Sequence, residues 1–395
     1  MDNSTERSKR IWIFAILGVL LFTVIAGGLI LYPKAKQGWT APLGPGLGLP
    51  TSTHEIFVPS ETQKKITNPL PSETIPPIPT STGVVSTSPS ESPTVTIEPT
   101  TTAAPLCGGP PIMYVLAIGI DTKDLSYTYG LADVIRIARV DFVTPKVTVL
   151  SIPRDLWVEI PGIEDHGITN GKINQSFFYG GPGMNYYDGP GAGPGLLART
   201  INHNLELPAD HYGALNMLVF ERIIDAVGGI DLYLPTDVDG TPVNQFTRDM
   251  GYFYAGQNHF NGDQAVRFSR IRKRYSDYQR VDNQNMVLCA LKEKLLSTSV
   301  LPRIPQIIKS FQGSVLTDLS LEQMSQLACL LPKIESENLI FTGVPKDILE
   351  HKRVYSTQMR NETYATIAEM EVLRDYVYHF KAGTWPEKPD EPSCQ

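Results

Sequence analysis

The sequence predicts an α/β fold, a single sandwich with a mixed central sheet flanked by helices. Two observations predict it. Apolar runs of strand length recur along the chain from residue 113 onward, and amphipathic segments of helical length lie between them. Strands and helices that share a partly antiparallel sheet are typical of an α/β sandwich with one core.

The order of the predicted elements follows from these patterns. MYVLAIGI ends at Asp121, VTVLSI is halted by Pro153, and Ser320 with Gln323 forms a capping-box pattern at a helix start. In chain order, we predict strands at 113–120, 134–142 and 147–152, helices at 195–205 and 213–227, a strand at 264–272, helices at 281–297 and from residue 320, a strand at 338–344 and a helix at 363–380.

The N-terminal part predicts a membrane anchor. Residues 11–32 are apolar and uncharged, and a helix of this length spans a hydrocarbon core of about 30 Å. A cleaved signal peptide would have a shorter apolar core followed by a small-residue cleavage site. We expect a cytoplasmic tail at 1–10, a single transmembrane helix at 11–32 and an extracytoplasmic remainder.

Residues 33–108 are rich in Pro, Ser and Thr, which predicts a disordered extracytoplasmic linker, because such a segment buries little apolar surface. A folded domain is expected at 109–300. Residues 301–395 are then expected to form a C-terminal extension packed on this domain.

Charge and cysteine content narrow the protein class. A formal net charge of -7 argues against a general nucleic-acid binder, and ten residues before the anchor are too few for a DNA-binding domain. Four cysteines are compatible with two disulfides or with buried thiols. Four cysteines allow three pairings. We predict Cys107–Cys394, which would tie the domain ends together, and Cys289–Cys329, whose members lie on predicted helices.

Charged residues cluster at the ends of the first three strands. Asp121 follows the first strand, Asp133 begins the second and Arg154 follows the third. If these strands are antiparallel neighbours, all three side chains meet at one rim of the sheet. Two carboxylates there suit Mg²⁺, and an arginine suits a phosphate. Alternatively, each Asp caps a turn and Arg154 pairs with Asp155.

A second cluster is rich in arginine. On the strand predicted at 264–272, Arg270 and Arg272 share a face with two apolar residues. Arg280 and Gln284 are four residues apart on the next predicted helix. Arginines that face an acidic pair fit a metal-bound pyrophosphate. The alternative is a solvated basic ribbon, and the sequence contains neither a Walker A loop nor a G-x-S-x-G elbow.

Several motifs together resemble the LytR-CpsA-Psr domain from about residue 113 to 297. They are IGID-x-K at Asp121, ADV at Asp133, SIPRD at 151–155, GKIN at 171–174, DAVGGID at 225–231, and F-x-R-I-R followed by SDYQR-x-x-x-Q. The combination of SIPRD and DAVGGID is the most specific part of this resemblance.

The resemblance implies a catalytic domain that binds a polyprenyl-pyrophosphate sugar, with the lipid between sheet and helices. By position, Asp121 and Asp133 match the family's metal-site acids, and Mg²⁺ is the implied cofactor. Lys172 matches a basic residue near the substrate. The implied pyrophosphate-binding residues are Arg154, Arg270, Arg272, Arg280 and Gln284.

The chain departs from the family pattern at three positions. Lys123, Leu131 and Asn283 stand where members commonly carry arginine. These departures bear on substrate affinity more than on the fold.

The leading hypothesis is a membrane-anchored phosphotransferase. It would transfer a glycosyl-phosphate polymer from a polyprenyl-pyrophosphate carrier to peptidoglycan or an equivalent wall acceptor. A polyprenyl-pyrophosphate hydrolase and a non-catalytic surface receptor for phospholipid-linked sugars are the alternatives. No nucleic-acid partner is expected.

Overall fold

The structure is a computed structural model. It describes residues 37–49, 103–123, 125–271, 277–303, 306–307, 311 and 313–387. The expected cytoplasmic tail at 1–10 and transmembrane helix at 11–32 lie outside these residues. Within the described part of the chain, no helix has both the length and the apolar character needed to cross a bilayer.

The folded part of the chain contains runs of strands separated by one or two helices. The strands are β1 Ile112–Ile120, β2 Ala132–Asp141, β3 Lys146–Ser151, β4 Trp157–Glu159, β5 Asn170–Lys172, β6 His211–Asn216, β7 Ile230–Leu234, β8 Val238–Asp239, β9 Tyr252–Phe253, β10 Gly256–Phe260, β11 Leu316–Thr317, β12 Leu339–Gly343, β13 Glu350–Ser356 and β14 Asn361–Ile367. The α-helices are α1 Ile173–Gly180, α2 Ala192–Leu205, α3 Met217–Ala226, α4 Gly262–Phe268, α5 Asp277–Leu296, α6 Leu321–Leu330 and α7 Met370–Ala382.

The central sheet is mixed and has the strand order β11-β6-β1-β2-β3-β12. The β1–β2 and β2–β3 pairs are antiparallel, whereas β1–β6 and β3–β12 are parallel. The expected α/β fold with a mixed sheet is therefore confirmed. Residues on both sides of the expected domain boundary at residue 300 contribute to this sheet. The two edge strands, β11 and β12, both come from residues after 300.

Alternation along the strands places two layers of helices on the sheet. Leu116 and Ile118 of β1 and Ile135 of β2 belong to the core cluster that packs on α1, α2 and α7. On the opposite face, Met113 and Val140 pack on α6. Helices α3, α4 and α5 share a further apolar core with β7 and β10, so they form the wall that faces β1, β2 and β6.

The helix predicted at 213–227 is wrong in its first part. The six residues up to Asn216 form β6, and α3 begins only at Met217. The Asn216 side chain accepts a hydrogen bond of 2.8 Å from the backbone N–H of Val219, which caps the helix. Gly228 and Gly229 follow the helix with positive φ values, a conformation that glycine adopts readily after a helix end.

The strand predicted at 264–272 is also wrong, because most of it is helix α4. Asn261 and Gln264 form a capping box that starts this helix. The helix predicted at 363–380 begins too early, since β14 occupies its first residues and α7 starts at Met370.

A short segment of the expected linker packs on the domain. Pro42 forms an isolated antiparallel bridge with Ser320, beside β11. Leu47 is buried in the same core cluster as β1 and α2, and Leu49 packs against it. The expectation of a disordered linker over all of 33–108 is therefore wrong for residues 42–49.

The predicted disulfide pairings are wrong. Cys107 bonds to Cys329, across a sequence separation of 222 residues, and this bond excludes both Cys107–Cys394 and Cys289–Cys329. Cys289 is also disulfide-bonded, and Cys394 lies outside the described residues. The observed bond joins the segment before β1 to α6. Cys107 packs against the core on that face of the sheet, whereas Cys329 lies on an exposed part of the helix.

Candidate active site

The two acidic residues meet through the turn between β1 and β2. The register of this pair shifts between Gly119 and Ile120, a bulge that redirects the end of β1. The backbone N–H of Leu131 donates to Asp121 Oδ1 at 2.7 Å, and the Asp121 and Asp133 N–H groups both donate to the Leu131 carbonyl. Asp121 and Asp133 line one cavity, so the predicted convergence at the sheet rim is observed.

Arg154, just after β3, completes this rim. Its Nη1 lies 2.5 Å from Asp133 Oδ1 and its Nε lies 3.4 Å from Asp155 Oδ2. Arg154 therefore contacts both its sequence neighbour and the site carboxylate. Lys172 Nζ lies 2.8 Å from Asp155 Oδ1, which adds a second cation to the network. Lys172 itself lines neither of the cavities described below.

The helices on the other side of the cavity contribute the remaining polar groups. Arg270 follows α4 and lines the cavity, although the strand predicted there is absent. Arg280 and Gln284, on α5, line it too. The structure thus brings together Asp121, Asp133, Arg154, Arg270, Arg280 and Gln284. Arg272 lies outside the described residues.

The cavity has a volume of about 540 Å³ and is apolar beyond this polar rim. Gly213 and Leu215 of β6 form part of one wall, while Phe220, Val266 and Leu288 form the opposite wall. Such a space suits a hydrocarbon chain whose polar end stays among the charged residues.

A second cavity of about 360 Å³ adjoins the first. Ser151, Gly343, His351 and Thr366 line it, at the ends of β3 and β12 and along the β13–β14 hairpin. The residues that line both cavities are Asp133, Val134, Arg136, Arg154, Arg280 and Gln284. The charged groups therefore stand where the two cavities meet.

Arg136 is a site residue that the sequence interpretation missed. It lies within β2, is only 3% exposed and lines both cavities. Its guanidinium donates to Asn285 Oδ1 at 2.6 Å and to Gln284 Oε1 at 3.1 Å. Burial, and then the nearby charge of Arg280, lower the pKa of Arg136 to about 10. The sequence did contain a signal for this residue. Arg136 is a charged residue within the strand that the predicted topology places at the centre, between two neighbouring strands.

None of the three positions that depart from the family pattern, Lys123, Leu131 and Asn283, places a buried positive charge beside Arg136. Asn283 is 3% exposed and its side-chain amide donates to the Phe268 carbonyl at 3.2 Å. Lys123 is half-exposed, and its Nζ lies 3.8 Å from a carboxylate oxygen of Glu221. Leu131 contributes the backbone groups that join the two acidic residues.

The donor set at the rim fits Mg²⁺. In the described residues, no group of three or more His, Cys, Asp or Glu side chains forms a closed metal site. Asp121 and Asp133 supply two carboxylates beside a cavity. Mg²⁺ usually takes one or two protein carboxylates and completes its shell with water and substrate phosphate oxygens.

An apolar cavity with carboxylates and arginines at its rim has the chemistry to accept an amphipathic ligand that carries phosphate groups. The chain belongs to the LytR_cpsA_psr family, whose model matches residues 110–373. The family expected from the motifs is thus confirmed. The match also extends well past residue 300, in agreement with the two sheet strands found there.

Curated relatives share this region at modest identity. Over 250 residues the chain is 28% identical to the polyisoprenyl-teichoic acid–peptidoglycan teichoic acid transferase TagU of Enterococcus faecalis, covering 61% of this chain and 74% of the relative. It is 31% identical over 215 residues to the TagU of Oceanobacillus iheyensis, covering 54% of this chain and 61% of the relative. It spans 50% of the relative named TagV from Bacillus subtilis, at 28% identity over 53% of this chain.

Solved structures show the same fold. The crystal structure of B. subtilis TagV aligns with a TM-score of 0.52 at 24% identity, covering 70% of this chain and 98% of TagV. The structure described as TagT bound to LIIa-WTA aligns with a TM-score of 0.51 at 20% identity, covering 69% and 91% of the two chains. At these identities the likeness establishes the fold.

Proposed function

We propose that this protein transfers a glycosyl-phosphate polymer from a polyprenyl-pyrophosphate carrier to a hydroxyl group of peptidoglycan or an equivalent wall acceptor. The observation that carries this proposal is the cavity, which joins an apolar interior to a rim of carboxylates and arginines. The teichoic acid transferases among the relatives are named for a reaction of this kind.

The donor fits the cavity in one orientation. Its polyprenyl chain lies in the apolar interior, where burial of hydrocarbon is favourable. Its pyrophosphate lies at the rim, where the guanidinium groups of Arg154, Arg270 and Arg280 donate to phosphate oxygens. Arg272 is expected to join them.

Asp121 and Asp133 would hold Mg²⁺ at this rim, and the bound ion would neutralise charge on the phosphates. Asp133 also contacts Arg154 at 2.5 Å and so fixes the direction of that guanidinium. Asp133 would therefore position this arginine as well as the metal-bound donor.

The transfer step is a displacement at the phosphorus that carries the sugar. The acceptor oxygen forms a bond to that phosphorus, the phosphoanhydride bond breaks, and polyprenyl phosphate leaves. The hydroxyl proton passes to Asp121 or Asp133. Attacking and leaving oxygens lie roughly in line in such reactions. Since the leaving group occupies the first cavity, the acceptor approaches from the side of the second cavity.

Residues 11–32 would anchor the protein in the cell membrane as a single span, with the catalytic domain outside. This placement brings the domain to the carrier lipid and to the wall.

The assay that tests the function uses the full-length chain in detergent, Mg²⁺ and a polyprenyl-pyrophosphate sugar, with and without wall acceptor. Formation of a joined product and polyprenyl phosphate only with acceptor supports transfer. Equal release of the sugar phosphate without acceptor would instead identify a hydrolase. Binding without turnover under both conditions would identify a receptor.

Gly213→Leu should block the lipid part of the cavity. A Cβ placed on Gly213 meets no atom within 4 Å, so the larger side chain enters open space. A leucine side chain displaces about as many lipid carbons as it contains. At about 0.8 kcal/mol per buried methylene, the binding free energy of the lipid falls by about 2–3 kcal/mol, on the order of a hundredfold in affinity. Donor affinity, measured by calorimetry with a long-chain carrier, checks this.

Two comparisons make the Gly213 result specific. Affinity for inorganic pyrophosphate with Mg²⁺ should not change in Gly213→Leu, because the rim is untouched. Gly213→Ala should show a smaller loss for the long-chain donor. Unchanged long-chain affinity in Gly213→Leu would mean that the lipid does not occupy this cavity.

A further inference from the structure

Arg136 is distinguished by where its side chain lies. On β2, its neighbours Ile135 and Ile137 belong to the core on one face of the sheet. Arg136 points to the other face, where it lines both cavities at the level of Asp133 and Arg154. The family resemblance assigns no role to this residue.

The partners of Arg136 are neutral. Its two guanidinium hydrogen bonds go to the amide oxygens of Asn285 and Gln284, and the Phe341 ring centre lies 5.7 Å from its Cζ. Within the described part of the chain, no carboxylate lies within ion-pairing distance of its guanidinium. Its charged neighbour Arg280 has the same sign and lowers the pKa of Arg136 further.

A buried cation with neutral partners is costly. Transfer of an ion from water into the protein costs several kcal/mol, even after the protein has relaxed around it. Hydrogen bonds to neutral amide oxygens offset only part of this desolvation cost. Arg139, also on β2, is almost as buried, at 7% exposure, but its Nη1 lies 3.3 Å from Asp141 Oδ2. Arg139 is therefore paired with a carboxylate of the protein, whereas Arg136 faces the two cavities.

We propose that Arg136 binds the pyrophosphate of the donor and supplies a positive charge that this chain lacks at Leu131 and Asn283. The proposal rests on the proposed function, because it assumes a diphosphate diester in the shared part of the two cavities. Arg136 forms part of the boundary between those cavities, so its guanidinium can reach a phosphate oxygen from the sheet side while Arg280 donates from α5.

This role predicts opposite effects on binding and on folding. In the absence of ligand, Arg136→Met removes a buried charge, so the melting temperature should remain at or above that of the wild type. With ligand, the same variant lacks a charged donor to phosphate. The affinity should then fall about tenfold to a hundredfold, as expected for one charged hydrogen bond.

The experiment uses the full-length chain and inorganic pyrophosphate with Mg²⁺ as the probe. Calorimetry gives the dissociation constant, and thermal unfolding with and without the probe gives the shift in melting temperature. Arg136→Met should weaken binding and reduce the shift. Arg136→Gln, which keeps donors for the two amide oxygens, should weaken binding similarly and covers the case in which the Met variant does not fold.

Arg139→Met is the matched control, with the same substitution on the same strand. It should lower the melting temperature, because Asp141 loses its partner, and leave pyrophosphate affinity unchanged. Affinity equal to wild type in a folded Arg136 variant would show a structural arginine and overturn this inference alone. Absence of binding by the wild type would overturn the inference together with the proposed function.

Discussion

Asp133→Asn is expected to lower the rate of transfer on the order of 10²- to 10³-fold, the range found when one preorganised electrostatic group is removed from an active site. The substitution keeps the size of the side chain and removes its charge. It takes away one of the two carboxylates proposed to bind Mg²⁺ and also the anion that lies 2.5 Å from Arg154. Initial rates over a range of Mg²⁺ concentrations measure the effect.

The matched control is Asp141→Asn, at the other end of β2. The Asp141 carboxylate accepts hydrogen bonds from the backbone N–H groups of Val143 and Thr144, away from the cavities. This variant should be less stable and transfer at the wild-type rate. Near-normal transfer by Asp133→Asn at limiting Mg²⁺ would disprove the proposed metal role.

Removal of the Cys107–Cys329 disulfide is expected to lower the free energy of unfolding by about 2–5 kcal/mol. The bond closes a loop of 222 residues, and chain entropy alone assigns about 5 kcal/mol to a loop of that length. Denaturant unfolding of the Cys107→Ser, Cys329→Ser double variant under non-reducing conditions measures the change.

Peptide mapping of the wild type provides the control for this prediction. A cross-linked peptide that contains Cys107 and Cys329 should be present before reduction and absent in the double variant. Equal unfolding free energies for the two proteins, or a map that joins Cys107 to another cysteine, would contradict the structure at this point.

The sequence alone located the site residues that follow or begin a strand. Asp121, Asp133 and Arg154 could be placed together because antiparallel neighbours bring their ends to one edge, whatever the remaining fold. Arg270 reached the site for another reason. It was predicted on a strand, yet it follows helix α4, and the capping box at Asn261 was the overlooked signal.

Other features depend on contacts that a single sequence does not encode locally. Cys107 and Cys329 meet because α6 packs over the sheet, and four cysteines alone do not determine the pairing. β6 was mistaken for the start of a helix because a buried parallel strand passes directly into α3 at Asn216. Arg136 was hidden within a predicted strand whose cavity side was not known.

The packing of residues 42–49 on the domain bears on the distance between the charged residues of the cavity and the bilayer. If residues 11–32 span the membrane, only residues 33–36 precede the helical turn at 37–40 that leads into the docked segment. A stretch of that length reaches at most about 14 Å when fully extended. A short tether of this kind would keep the cavity close to the membrane surface from which the carrier lipid enters it.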